Sequence, residues 1–127
     1  MITGFERETA ELNDYELNIL LPIFVRCLSA KVGRLKAVKN KYMVERLKER
    51  GYQISDARVR KIVNYIRTNG LVPCLIATYY IAENEAEVID YEDSLLGREN
   101  EIRRVRQAIQ QQRKSKYNHQ QLSLFKE

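Results

Sequence analysis

Residues that form catalytic or metal sites are scarce in this chain. In 127 residues there is one histidine, His119, and two cysteines, Cys27 and Cys74. The cysteines lie far apart with no Cys-X-X-Cys spacing, so neither a metal site nor a disulfide framework is expected. Both read as small buried hydrophobes in a reducing cytosol. No Gly-rich phosphate loop and no Gly-X-Ser-X-Gly elbow occur. The acids Glu83, Glu85, Glu87, Asp90, Glu92 and Asp93 spread around a helix instead of converging on a hard cation. A helix start favoured by its dipole accounts for them. No catalytic residue, metal or cofactor is therefore expected, and the chain is not expected to be an enzyme. No apolar run approaches the ~18 residues of a membrane span. The start, with Glu6, Glu8 and Glu11, is unlike a signal peptide. A cytoplasmic protein with no membrane partner is the expectation.

Apolar residues make up 44% of the chain, enough for the core of one domain plus an appendage. The net charge is +5, but its layout says more. Between residues 26 and 67 there are 13 Lys/Arg against Glu45, Glu49 and Asp56. Residues 83–93 hold 6 acids and no base, and residues 98–116 hold 7 bases against Glu99 and Glu101. Basic blocks of this kind on a folded domain suit phosphate backbones.

The expected fold class is mainly α with a small β-hairpin, followed by a long C-terminal helix and a flexible tail. Residues 1–13 show no strong periodicity and read as an arm. Asn13 and Glu16 have capping-box spacing. Leu17, Leu20, Leu21, Phe24, Cys27, Leu28 and Val32 then recur as one apolar helical face. Pro22 lies inside that stretch and predicts a kink or break. Ala37 and Val38 suggest a short strand before a cap at Asn40. The second helix, from 41 to about 50, buries Met43, Val44 and Leu47 and ends at Gly51, a position suited to a left-handed residue. Ser55 and Asp56 start a third helix, with Val59, Ile62, Val63 and Ile66 on one face, that stops at Asn69 and Gly70. Leu71, Val72, Cys74, Leu75 and Ile76, then Tyr79, Tyr80 and Ile81, fit two short strands joined at Ala77 and Thr78. One of the two tyrosines should point inward, Tyr80 the stronger candidate, and the other would offer a ring for stacking. A helix over 84–114 is expected from the cap at Asn84 and a seven-residue repeat of Val88, Tyr91, Leu95, Ile102, Val105 and Ile109, with Gly97 a point of division. It either packs back or pairs with a second copy, so a homodimer through residues 85–114 is a possible partner arrangement. The polar composition of 115–127 reads as a flexible tail.

The outer face of the third helix carries bases and amides. Arg58, Arg60, Lys61 and Asn64 are assigned to a DNA groove, since Arg and Lys reach guanine O6 and N7 and Asn can pair with adenine. Arg67 is assigned to a phosphate, as are Lys39 and Lys41 at the start of the second helix.

The order helix–helix–helix–hairpin, the 55–70 helix and the following Leu-Val-Pro-Cys-Leu-Ile strand resemble the winged helix-turn-helix family over residues 14–82, particularly its small phage and prophage members. The resemblance implies DNA binding through the third helix. The chain departs from it at the wing tip, which has almost no polar or glycine residues. Near the C-terminus, Gln121-Leu122-Ser123-Leu124-Phe125 resembles at every position the short motif by which bacterial replication and repair proteins dock on the sliding clamp. That resemblance implies a clamp partner, with Leu124 and Phe125 as apolar anchors worth ~1.5–3 kcal/mol each when buried. The alternative for these residues is folding back onto the chain's own core. Together the two resemblances imply a replication or repair adaptor. A dimeric transcriptional regulator and a clamp-directed inhibitor of host replication are the alternatives.

Overall fold

Asn13 and Glu16 close the expected capping box reciprocally. The Glu16 N–H donates to Asn13 Oδ1 at 2.8 Å, and the Asn13 N–H donates to Glu16 Oε1 at 3.0 Å. The structure, a computed structural model, describes residues 10–125, with side chains to residue 118. A π-helical segment Glu16–Leu20 follows the box and runs into α1 (Leu21–Ser29). The Leu21 N–H reaches back five residues to the Glu16 carbonyl. The hydrogen-bond register therefore slips just before Pro22, which has no N–H to give. The helix neither breaks nor ends there, because the slip falls where Pro22 would otherwise leave a gap.

A 3₁₀ turn (Arg34–Lys36) leads to α2 (Asn40–Glu49), and α3 (Asp56–Asn69) follows. Gly51 and Gly70 adopt φ of 87° and 64°, the left-handed conformation that closes each helix. Ser55 caps α3 by accepting the Arg58 N–H at 3.2 Å. Strands β1 (Leu75–Ile76) and β2 (Tyr80–Ile81) pair antiparallel, with Leu75 opposite Ile81 and Ile76 opposite Tyr80. Phe24, Leu28, Val59, Ile62, Val63 and Ile66 are fully buried and hold α1 and α3 together. Met43 and Leu47 of α2, Val72 and Leu75 complete the core.

Several expectations are corrected. Ala37 and Val38 are not a strand: the bridge to β2 is made by Val32, parallel to Ile81, while Val38 is buried and donates to the Tyr79 carbonyl at 3.2 Å. Cys74 is exposed and Cys27 only partly buried, because Cys74 sits at φ 56° in the turn before β1 and faces outward. Both tyrosines are buried, since Tyr79 lies in the loop, at φ 25°, outside the strand alternation. Neither is a stacking platform.

The chain divides between Val88 and Ile89 into two compact units. Asn84 caps α4 (Glu85–Phe125) by accepting the Glu87 N–H at 3.0 Å. The helix is not divided at Gly97 and does not stop near 114. No Gly or Pro occurs between 115 and 125 to end it. Along α4, Ile102, Val105 and Ile109 are exposed. Among the described residues no helix is long and apolar enough to cross a membrane.

Glu16 is the one buried charged residue among those described. Arg58 meets it with two bonds, Nε to Oε2 at 2.8 Å and Nη2 to Oε1 at 2.6 Å. Its remaining donors reach the carbonyls of Ala10 at 2.6 Å and Glu11 at 3.2 Å. Burial pushes the Glu16 carboxyl up, but the Arg58 hydrogen bond, the Asn13 N–H and the Arg58 charge outweigh it and hold the group below its ordinary 4.5. The Glu16 hydrogen bond in turn raises Arg58 against the effect of burial.

Removing one member of such a pair leaves the other charged and buried, so Arg58→Ala should cost about 3–5 kcal/mol in urea unfolding. Because the Glu16 carboxyl titrates lower in the folded chain than in the unfolded one, the unfolded state takes up the extra proton. Its contribution is complete above pH 4.5 and is lost as pH falls through the depressed folded value. Glu16→Gln should flatten that acid limb. An Arg58→Ala protein with an unchanged urea midpoint would remove the pair from its structural role.

Candidate nucleic-acid interface

Helix α3 is anchored by a stripe of four buried residues, Val59, Ile62, Val63 and Ile66. At about 100° per residue the opposite stripe is Lys61, Asn64 and Thr68, with Arg60 beside it. Arg60 and Asn64 are exposed. Lys61 is about one-third exposed, and its Nζ stands 3.8 Å from the exposed Glu11 carboxylate. A pair of that kind is worth ~0–1 kcal/mol, so Lys61 can exchange Glu11 for a phosphate. The Thr68 hydroxyl is turned back to the Asn64 carbonyl at 2.9 Å and the Tyr65 carbonyl at 3.3 Å.

Two assigned arginines are used by the fold instead. Arg58 lies on one flank of the buried stripe, where it binds Glu16 and the chain before it, and its side chain is only 12% exposed. It is removed from the groove set. Arg67 lies on the other flank, about 40° from Val63 around the helix. Its Nε donates to the Leu75 carbonyl at 3.1 Å and its Nη2 to the Ile76 carbonyl at 3.0 Å, with the guanidinium 5.5 Å from the centre of the Tyr79 ring. These bonds hold the hairpin against α3, and Arg67 is removed from the phosphate set.

Lys39 and Lys41 are exposed at the start of α2. Between them Asn40 does not cap the helix with its side chain. Its Nδ2 donates to the Asp56 carbonyl at 3.0 Å, and its Oδ1 accepts the Tyr79 hydroxyl at 2.6 Å. This one side chain brings the start of α2, the start of α3 and the hairpin loop together. Lys39 and Lys41 are thereby set beside the beginning of the helix that carries Arg60 and Asn64. Asn40 escaped sequence reading because a cap residue and a tertiary cross-link look alike there.

Side chains are described to residue 118, so those of His119 and of the expected docking positions Gln121, Leu122, Ser123, Leu124 and Phe125 lie outside the described ones. Among the described residues no three His, Cys, Asp or Glu side chains gather as a metal site. Comparison of the chain with protein-family profiles, with curated proteins and with solved structures finds no match.

Proposed function

We propose that the first unit is a winged helix-turn-helix domain that binds duplex DNA, and that the C-terminal peptide docks on a bacterial sliding clamp. On this reading the chain is a DNA-binding adaptor in replication or repair of phage or plasmid type. The observation that supports it most is the outer stripe of α3 beyond Asp56. It presents Arg60, Lys61 and Asn64 without an acid, next to exposed Lys39 and Lys41. Long donors above a buried stripe are what insertion into a major groove requires, and lysines beside the helix start supply phosphate contacts. The hairpin is the wing, but its tip exposes only Thr78 and takes a minor part.

Arg60→Ala and Asn64→Ala should each weaken duplex binding by about 1–3 kcal/mol and relax preference at single base pairs. Lys39→Ala or Lys41→Ala should weaken binding on all sequences alike and lower the salt slope by about one unit. Anisotropy titrations over a salt series read both effects. A full-length protein with no salt-sensitive affinity for any duplex ends this reading.

The clamp proposal rests on the five matched residues 121–125. A Leu124→Ala/Phe125→Ala protein should lose binding to a bacterial clamp while keeping its melting temperature and its affinity for DNA. A fall in melting temperature with no clamp signal to lose would mean instead that these residues pack on the chain's own core.

A dimeric regulator is favoured by one observation: Ile102, Val105 and Ile109 are exposed at 69, 55 and 57% on a helix whose apolar residues follow a seven-residue repeat. Sedimentation should show a dimer at micromolar concentration that Ile102→Asp dissociates. A 15.0 kDa particle at every concentration would eliminate that arrangement.

A further inference from the structure

A groove of about 510 Å³ lies between α1 and α2, away from the proposed duplex surface. Its rim carries four cations, Arg26, Lys31, Arg46 and Arg50, and two rings, Tyr42 and Tyr52, with no carboxylate in the lining. Met43 and Leu47, both core residues, form part of its floor. Among the described residues, Arg26, Lys31 and Arg50 have no ion-pair partner. Arg46 has one exposed partner, Glu49, at 3.6 Å, a contact too weak to cancel its charge. The Arg46 guanidinium also stands 5.9 Å from the centre of the Tyr42 ring, and Tyr42 is 48% exposed. Around α2, Lys41 and Lys48 project from the side opposite Tyr42, Arg46 and Arg50, as about 100° per residue requires. The groove is therefore a different surface from the one that Lys41 serves.

The combination restricts the ligand. Cations alone would suit any polyanion. Exposed aromatic surface beside them suits a ligand with both a π face and a negative charge, and a nucleotide has both. Paired bases in a duplex are stacked on their neighbours and give no free face to a tyrosine. A concavity of this volume falls in the range of pockets that enclose a small ligand, and so has room for an unpaired base. We propose that this groove is a second nucleic-acid site, one that takes an unpaired strand by stacking a base on Tyr42 and holding its phosphates with Arg26, Lys31 and Arg50. The proposal goes beyond the duplex reading and does not depend on α3.

The test uses the full chain with fluorescent oligo(dT) of about twelve nucleotides, within the span of common single-strand sites, and an unrelated duplex as the comparison probe. Tyr42→Ala should weaken oligo(dT) binding on the order of tenfold, and Tyr42→Phe, which keeps the ring, should restore it. Arg26→Ala/Arg50→Ala should lower the slope of log affinity against log salt by about 1.4, roughly 0.7 for each single-strand phosphate released. Tyr42→Ala should leave duplex affinity unchanged. Arg26→Ala/Arg50→Ala should weaken duplex binding far less than oligo(dT) binding, since it removes field but no duplex contact. Arg60→Ala should leave stacking on Tyr42, read as the ratio of Tyr42→Ala to unaltered affinity for oligo(dT), unchanged. Arg26 and Arg50 are exposed, so their double variant carries the test if Tyr42→Ala proves unstable to heat. Absence of oligo(dT) binding at low salt overturns the proposal whether or not duplex binds. So does equal oligo(dT) affinity in Tyr42→Ala and the unaltered chain. Displacement of oligo(dT) by polyglutamate to the same extent in both proteins would assign the groove to acidic peptides and also overturn it.

Discussion

The Glu16–Arg58 pair fixes the frame on which everything in the first unit is mounted. A buried carboxylate is costly by itself, and the pair tolerates burial only because nearly every polar atom is engaged. Glu16 takes two bonds from Arg58 and one from the Asn13 N–H. Arg58 spends its other donors on Ala10 and Glu11. Three pieces of chain, residues 10–11, the start of the first helix and the first turns of α3, are thus tied at one point. Arg67 does the corresponding work on the other flank of α3, holding the strand carbonyls of Leu75 and Ile76. An arginine on each side sets the rotation of α3 about its own axis, and that rotation decides that Arg60 and Asn64 face outward. The two guanidiniums that make no groove contact are what aim the residues proposed to make it.

The hairpin shows a second constraint. Cys74, Thr78 and Tyr79 adopt positive φ although none is glycine, and Thr78 is β-branched. Such conformations cost on the order of 1–3 kcal/mol each and persist only where surrounding contacts leave no alternative. Those contacts are present for Tyr79: its carbonyl accepts the Val38 N–H, its hydroxyl meets Asn40, and its ring lies under Arg67. The loop is shaped by its packing against α2 and α3, which leaves it little to extend toward a ligand.

Helix starts and stops were legible in the sequence because they are local chemistry. Asn13 with Glu16, Ser55 with Asp56, Gly51 and Gly70 all act within a few residues of themselves. The buried stripe of α3 was legible for the same reason, since period fixes which side chains share a face. What the sequence hid depends on partners in other elements of the fold. Arg58 and Arg67 look like any outward base until Glu16, 42 residues away, and the strand carbonyls are brought beside them. Tyr79 escaped because alternation fails once a loop residue takes positive φ. The end of α4 is not legible because polar composition alone is no stop; only a helix breaker or a competing contact supplies one.

The corrections at Arg58 and Arg67 bear unequally on the DNA proposal, because field and contact obey different rules. A long-range field depends on net charge, and a hydrogen bond to a backbone carbonyl cancels none. Arg67 therefore still adds its positive charge to the surface, while Arg58 is neutralised by Glu16 at close range. Of the 13 bases between residues 26 and 67, the Glu16 pair removes one, and the exposed Glu49 and Glu11 weaken two others, Arg46 and Lys61. The excess that would steer a phosphate backbone within a Debye length of about 10 Å survives almost intact. Direct readout is different, since it needs donors that are free, and here the count falls to Arg60, Lys61 and Asn64. Three such groups are few for one helix to read more than a short stretch of sequence. On this reading affinity comes mainly from the field and the lysines, with base preference confined to the one or two pairs that Arg60 and Asn64 can reach. A second point of attachment on the replication machinery is then what would place so weakly selective a binder, and on the proposed reading the clamp-like peptide 121–125 would be that point.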